Sequence, residues 1–417
     1  MIMENTATKK SLTSAALPDS LARKILMSVL PGLADGHLSL IDGDNSYEFG
    51  NKDSDLHATL VVKHPRFYRQ ILLSGSIGAG EAYIQHHWTS PDLTKVVQIF
   101  ARNLPLLDKL EQKLSWLTTP FSRVAHLFKR NTQAGSKKNI LAHYDLGNDM
   151  YQAFLDKEML YSSALYPHAD ASLAEAQQHK LHTICERLDL KAGQTLLEVG
   201  TGWGALAIYA AKHYGVKVTT TTISDAQFEY AKSRVALEEL TDSVTLLKDD
   251  YRILSGEYDR VVSIEMIEAV GHEYLPGFFK KLQALLKPNG RLLIQAITIV
   301  DQRYNSYRKS VDFIQRYIFP GGCLPSVTRM TNELTKHTDL VTWSVDDMGL
   351  DYAKTVKDWQ DNFDAALPKI KALGYGEDFI RMWKFYLSYC EGGFLERTTS
   401  TVHLVAVRPQ YRQGQHC

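Results

Sequence analysis

The chain of 417 residues is most informative at first through what it lacks. It has only four cysteines, Cys185, Cys323, Cys390 and Cys417, widely scattered and without a C-x-x-C pair. That excludes a disulfide framework and the common zinc spacings, and it fits a reducing cytoplasm. No uninterrupted apolar run approaches the ~18 residues of a membrane-spanning helix, so any membrane contact is expected to be peripheral. The opening "MIMENTATKKSLTSAALPDS" is polar and has no apolar signal core. Charge of either sign is not in excess: 47 Lys and Arg balance 47 Asp and Glu. A dedicated nucleic-acid binder is disfavoured on that balance. There is no internal repeat. What remains is an ordinary globular composition, long enough for two domains and a substantial core.

Three regions are expected. Residues 1–105 read as a loose tail followed by a small α+β domain, with a helix at Leu21 to Leu30, a hairpin in "LSLIDGDNSYEFG" and a strand "ATLVVK". Residues 106–139 form a basic amphipathic linker. Leu106, Leu110, Leu114 and Leu117 keep helical spacing, and Arg123, Lys129, Arg130, Lys137 and Lys138 make its end basic. Two readings fit that segment, an interdomain helix with a solvated face and a helix lying on a membrane surface. From 140 to 409 short β-rich runs ("TLLEVG", "KVTTTTIS", "VTLLKDD", "YDRVVSIE", "GRLLIQAI") alternate with helical runs. This is the pattern of a doubly wound α/β sheet. "KPNG" is expected to be a turn before the last of these strands. Residues 301–390, rich in aromatics, are expected to be largely helical and to form a lid, and "TTSTVHLVAVRP" to return as a final strand.

The sharpest local feature is "LLEVGTGWGALAIYAAK", in which Gly200, Gly202 and Gly204 alternate behind Glu198. In open α/β sheets ligands bind beyond the carboxyl ends of the strands, and glycines there let backbone approach a ligand. A dinucleotide site would need G-x-G-x-x-G and a carboxylate at the end of the second strand. Neither is present: that strand ends "TTTTIS", with Thr222 and Ser224, then Asp225 and Gln227. The order Glu198–Gly204, Thr222–Gln227, Asp249–Asp250, Pro288–Gly290 instead resembles class I methyltransferases that use S-adenosylmethionine.

A closer resemblance rests on "AHYDLGNDMYQAFLDKEMLYSSALYP", "EVGTGWGALA", "TTISDAQFEYAK", "SIEMIEAVG" and "RYIFPGGCLPS". With these the chain resembles cyclopropane-fatty-acyl-phospholipid synthases over residues 140–409, and more weakly over 20–105. The resemblance implies a class I methyltransferase Rossmann-like sheet with a helical lid. It implies methyl transfer from S-adenosylmethionine to the double bond of an unsaturated phospholipid, and peripheral association with the inner face of the membrane. It also implies a bound bicarbonate as base and a homodimer. On it, Tyr161, Ser162, Gly200, Gly202, Thr222 and Gln227 lie beside the cofactor, with Asp250 and Tyr251 after the third strand and Glu198 at the glycine turn. Glu268 would hold bicarbonate, together with Tyr352 and the backbone of Ile297.

Two positions depart from the family. Its cysteine after the "YS" pair is Ser163, and its histidine at the end of the fifth strand is Gln295. Both can hydrogen-bond an anion, but neither titrates like the residue it replaces. The histidine after the family glutamate is also replaced, by Ala269, with His272 one helical turn on as a partial substitute or a structural histidine. The departures bear on the deprotonation step, so a cyclopropane ring and a methyl branch both remain open as products. Tyr352 also reads as lid core. Tyr304, Tyr307, Phe313, Tyr317 and Phe319 read as lid core or as the lining of an acyl slot, and Cys323 as a small buried residue. A soluble small-molecule methyltransferase and a non-catalytic lipid-binding protein of the same fold are the competing readings.

Overall fold

The computed structural model of the chain describes residues 17–110 and 147–412. The chain divides into two compact units, Met1–Val124 with Glu377–Phe385, and Ala125–Gly376 with Tyr386–Cys417. The linker residues 111–139, with the basic cluster at 123–138, lie outside the described residues, as does the start of the "AHYDLG" motif.

In the first unit, β1 (His37–Asp42) and β2 (Asn45–Gly50) form an antiparallel hairpin in which Asp42 faces Asn45. A two-residue Gly43-Asp44 loop joins them, the short connection that such pairs favour. β3 (His57–Val62) runs parallel to β1, and β4 (Trp88–Thr89) closes the order β2-β1-β3-β4. Leu38 and Leu40 of β1 and Ala58, Leu60 and Val62 of β3 alternate inward, as period-two burial requires. Phe67, Tyr68 and Trp88 pack beside them. Residues 377–385, within the stretch expected to be lid, belong to this unit. There the Arg381 guanidinium lies 3.7 Å from the Tyr83 ring centre and donates to the carbonyls of Tyr83 and Trp88.

The second unit carries β5 (Thr195–Val199), β6 (Lys217–Thr221), β7 (Val244–Leu247), β8 (Tyr258–Ile264), β9 (Leu286–Ile299), β10 (Val341–Asp347) and β11 (Thr399–Val407). Their order is β10-β11-β9-β8-β5-β6-β7. β5 to β9 pair in parallel, while β11 runs antiparallel to β9 and to β10. The strands read as continuous apolar runs because both faces of the sheet are covered. Leu197, Val261, Leu292 and Leu404 face one core with Phe278 and Phe279. Their chain neighbours Leu196, Val262, Leu293 and Val405 face the other, with Ile184 and Ala207.

One expectation is corrected here and one is refined. "KPNG" does not precede the strand but lies within it. The register moves from Tyr258↔Leu286 to Arg260↔Arg291, so residues 287–290 are looped out as a bulge inside β9. The region 301–390 is largely helical, as expected, but it also contains the unexpected strand β10. That edge strand exposes Val341 and Trp343, and its alternation of apolar and polar residues gives it away only as a strand with little burial. Among the described residues no helix is long and apolar enough to cross a membrane.

Candidate active site

β5 sits between β8 and β6, so the chain leaves it in opposite directions along the sheet, and a crevice opens at its carboxyl end. The glycine loop lies there. Gly200, Gly202 and Gly204 all have positive φ, and the helix Ala205–Tyr214 starts immediately after. The amides of Gly200 and Thr201 are fastened to the Thr221 carbonyl at 3.1 and 2.9 Å. A Cβ added at Gly202 would meet nothing within 4 Å, whereas one at Gly204 would press on Ala231 at 3.2 Å. The first glycine therefore leaves room for a ligand and the second makes room for a neighbouring helix.

Around the loop the expected cofactor residues gather in several small networks. Glu198 lies beneath it, 2% exposed, and accepts a 2.6 Å hydrogen bond from Thr220, whose hydroxyl also meets Thr201. Burial pushes its carboxyl up to about 8. Thr222 donates to the Gln227 side chain at 2.9 Å. Asp250 is taken up by Arg252, through both backbone and guanidinium, and Tyr251 packs edge-on against Phe278. The Tyr161 hydroxyl meets that of Tyr386 at 2.7 Å, and Ser162 accepts from the buried Lys180 at 2.8 Å. Burial lowers Lys180 to about 8, against the pull of Glu265 and Asp156.

The residues expected to bind an anion do come together, and an unexpected residue stands among them. Glu265, the first residue after β8, accepts from the Ser163 backbone amide at 2.9 Å and from the Gln295 side-chain amide at 2.7 Å, both on Oε1. Its Oε2 accepts from the Tyr352 hydroxyl at 2.8 Å. Glu265 is densely enclosed, though part of its surface stays accessible. It holds φ of 48°, a left-handed conformation that costs a side-chain-bearing residue about 1–2 kcal/mol. Ser163 takes part through its amide; its hydroxyl is spent on the Ala164 carbonyl.

The amide orientation of Gln295 follows from its partners. Arg187 can only donate, so the His403 Nδ1 at 2.6 Å must accept. His403, held neutral by burial, then carries its proton on Nε2 and donates to Gln295 Oε1 at 2.8 Å. The Gln295 NH2 is thereby directed at Glu265.

Glu268 is held differently. Its Oε1 accepts from the Ile297 amide at 2.6 Å, and its buried Oε2 has no partner among the described residues. Burial, and then the charge of Glu265, push it up to about 8. Glu265 is also raised by burial, but its three donors and Lys180 oppose the shift. The donors therefore favour charge on Glu265 over charge on Glu268.

Aromatic rings pack around Tyr352, which bonds Glu265. Tyr352 stacks on Phe394 at 4.4 Å and meets Trp359 edge-on at 6.0 Å, and Trp359 lies 5.3 Å from Tyr161. Phe319 of the lid lies 6.3 Å from Tyr161. His272 does not take the place of the missing family histidine: it bonds the Tyr304 hydroxyl at 2.5 Å and faces Arg308. The Cys323 amide donates to the Glu268 carbonyl, which fastens the "FPGGCLPS" loop to the carboxylate turn. Burial pushes its thiol up to about 11, against a nucleophilic role.

Sequence reasoning missed Glu265, Lys180 and His403. The first stands in the quoted "SIEMIEAVG", where the spacing of two glutamates was the available signal. The others are a lone lysine on a helix and a histidine on the last strand, with nothing local to mark them.

The site fits S-adenosylmethionine where the glycine loop leaves open space. It does not fit bicarbonate in the same way, because Ser163, Gln295, Tyr352 and the Ile297 amide are already engaged by two resident carboxylates.

A family model described as mycolic acid cyclopropane synthetase matches residues 131–404. The tuberculostearic acid methyltransferase UfaA1 of Mycobacterium tuberculosis is 38% identical over 354 residues, 83% of this chain and 82% of its own length. The cyclopropane-fatty-acyl-phospholipid synthase of Escherichia coli is 37% identical over 369 residues, 86% and 92% of the two lengths. Among solved structures, the mycolic acid cyclopropane synthase CmaA1 complexed with SAH and CTAB matches with a TM-score of 0.61 at 30% identity. It covers 65% of this chain and 98% of that one. Coclaurine N-methyltransferase, at 19% identity and a TM-score of 0.59, shares the fold.

Proposed function

We propose, from the premise that the chain belongs to the cyclopropane-fatty-acyl-phospholipid synthase family of S-adenosylmethionine-dependent methyltransferases, that it methylates the double bond of unsaturated phospholipid acyl chains. The observation that carries this reading is the junction of two motifs. A Cβ built on Gly200 would lie 3.5 Å from the Met266 Cβ, and Met266 follows Glu265 directly. The cofactor loop and the carboxylate turn are thus in contact, as transfer followed by deprotonation at one place requires.

S-adenosylmethionine, when bound, supplies an electrophilic methyl group. An alkene is a weak nucleophile, so the protein's task is to align and to exclude water. Transfer of that methyl to the π bond would break its bond to sulfur, release S-adenosylhomocysteine and leave positive charge on the acyl chain, which an aromatic side chain such as Tyr161 is suited to stabilise. A C–H bond then breaks and its electron pair either closes a cyclopropane ring or forms a methyl-branched alkene. Either product is heavier than the substrate by one CH2. The basic segment at 123–138, outside the described residues, is the part we assign to the membrane surface, on the side of the cytoplasm.

The test is incubation with vesicles of dioleoyl phosphatidylethanolamine and phosphatidylglycerol plus S-adenosylmethionine, followed by lipid mass spectrometry. Gain of one CH2 on the oleoyl chains is expected, and NMR of the product separates ring from branch. A protein that binds the cofactor by calorimetry yet leaves these chains unchanged would refute the reading.

A further inference from the structure

We infer that Glu265 is this enzyme's own base, a resident carboxylate standing where the resemblance implies a bicarbonate ion. The inference rests on the proposed alkene methylation and names the group that completes it.

The donor set carries the argument. Bicarbonate in this site would need the groups at Ser163, Gln295 and Tyr352, and the structure directs all three to the two oxygens of Glu265, at 2.9, 2.7 and 2.8 Å. An anion that binds by the same donors cannot be present together with that carboxylate. The relay from Arg187 through His403 to Gln295 leaves the Gln295 amide only its donor side for Glu265, so the arrangement is built for an acceptor. Glu268, with one oxygen on the Ile297 amide, lies beside it without competing for these donors.

The backbone supplies a second, independent observation. At φ of 48° glycine would be free of strain and glutamate is not. A side-chain-bearing residue persists in this conformation only where the surrounding structure holds it there. Here that conformation delivers the carboxylate to the carboxyl end of β8, next to the glycine loop. The step balances without a further reactant. Glu265 takes a proton from the methylated acyl cation, the C–H electron pair forms the new C–C or C=C bond, and the proton later passes to water.

Three preparations test this: the unaltered enzyme, Glu265→Gln and Glu265→Gly. Each is assayed on the oleoyl vesicles in buffer stripped of carbon dioxide and again with added bicarbonate. Turnover of the unaltered enzyme is expected to be the same in both. Glu265→Gln keeps the shape but is not a base. It is expected to lose on the order of 10²-fold or more in turnover while binding S-adenosylmethionine as before by calorimetry. Glu265→Gly relieves the backbone strain and vacates the donors; once thermal unfolding shows it folded, added bicarbonate is expected to raise its turnover in a saturable way. A requirement of the unaltered enzyme for bicarbonate, or full turnover by Glu265→Gln, would overturn the inference. Absence of any methylation by the unaltered enzyme would instead refute the proposed substrate.

Discussion

Glu265 and Glu268 stand on the same turn and differ in what holds them. Glu268 has one hydrogen bond and an unpartnered oxygen, and burial raises it to about 8 from a usual value near 4.5. Folding therefore retains a proton on Glu268 that the unfolded chain has already lost. The folded state binds more protons across the window from about 4.5 to 8, so this group's contribution to stability falls as pH rises through it. Glu268→Gln has no proton to lose. The unliganded variant is expected to show a flatter dependence of unfolding free energy on pH between 5 and 8. The difference in slope should not exceed about 1.4 kcal/mol per pH unit. Denaturant melts at several pH values check it, and parallel slopes would show that Glu268 ionises freely. His403 works in the opposite sense, since burial holds it neutral and its contribution weakens as pH falls below about 6.5. The comparison must therefore be made between variant and parent rather than on either curve alone.

At the scale of elements, the loop between β5 and the helix Ala205–Tyr214 divides one glycine motif into two tasks. Gly204, with φ of 93°, faces Ala231 so closely that a Cβ there would sit 3.2 Å from the Ala231 Cβ and the neighbour would have to give way. Gly204→Ala is expected to destabilise the protein by about 1–3 kcal/mol. Gly202, with φ of 53°, faces open space. Gly202→Ala is expected to cost about 1 kcal/mol in stability and to weaken S-adenosylmethionine binding strongly. Thermal unfolding and calorimetric titration on the same pair of variants separate the two. Equal affinity for the cofactor in Gly202→Ala would remove that loop position from the binding site. The β9 bulge is an element-scale feature of another kind. The Pro-Asn-Gly stretch reads locally as a turn, yet pairing of β8 with β9 on both sides of it keeps the strand continuous.

At the scale of the molecule, the proposed substrate lies in a bilayer while the chain shows no membrane-crossing helix among its described residues. On that proposal, attachment would depend on surface charge and an amphipathic face. Changing Arg123, Lys129 and Arg130 together to glutamate is expected to abolish co-sedimentation with anionic vesicles and to leave calorimetric cofactor binding intact. Unchanged sedimentation would place the membrane contact elsewhere. The alternation of β-rich and helical runs was enough to read the doubly wound sheet, because period and turn chemistry are local properties of the chain. The glycine loop was legible for the same reason, and the family motifs named Ser163, Gln295, Glu268, Tyr352 and Ile297 as neighbours before any fold was known. Edge strand β10 was missed although Val341, Trp343 and Val345 alternate with polar residues, because so short a run was read together with the helical stretches on either side of it. The proposed catalytic arrangement belongs to the tertiary structure. Glu265 draws donors 102, 30 and 87 residues away along the chain, and it reaches them from a left-handed backbone that no local pattern of side chains announces. Sequence by itself determined the sheet, the glycine loop and the family. Only the fold decided which carboxylate meets three donors, because those hydrogen bonds are assembled from distant parts of the chain.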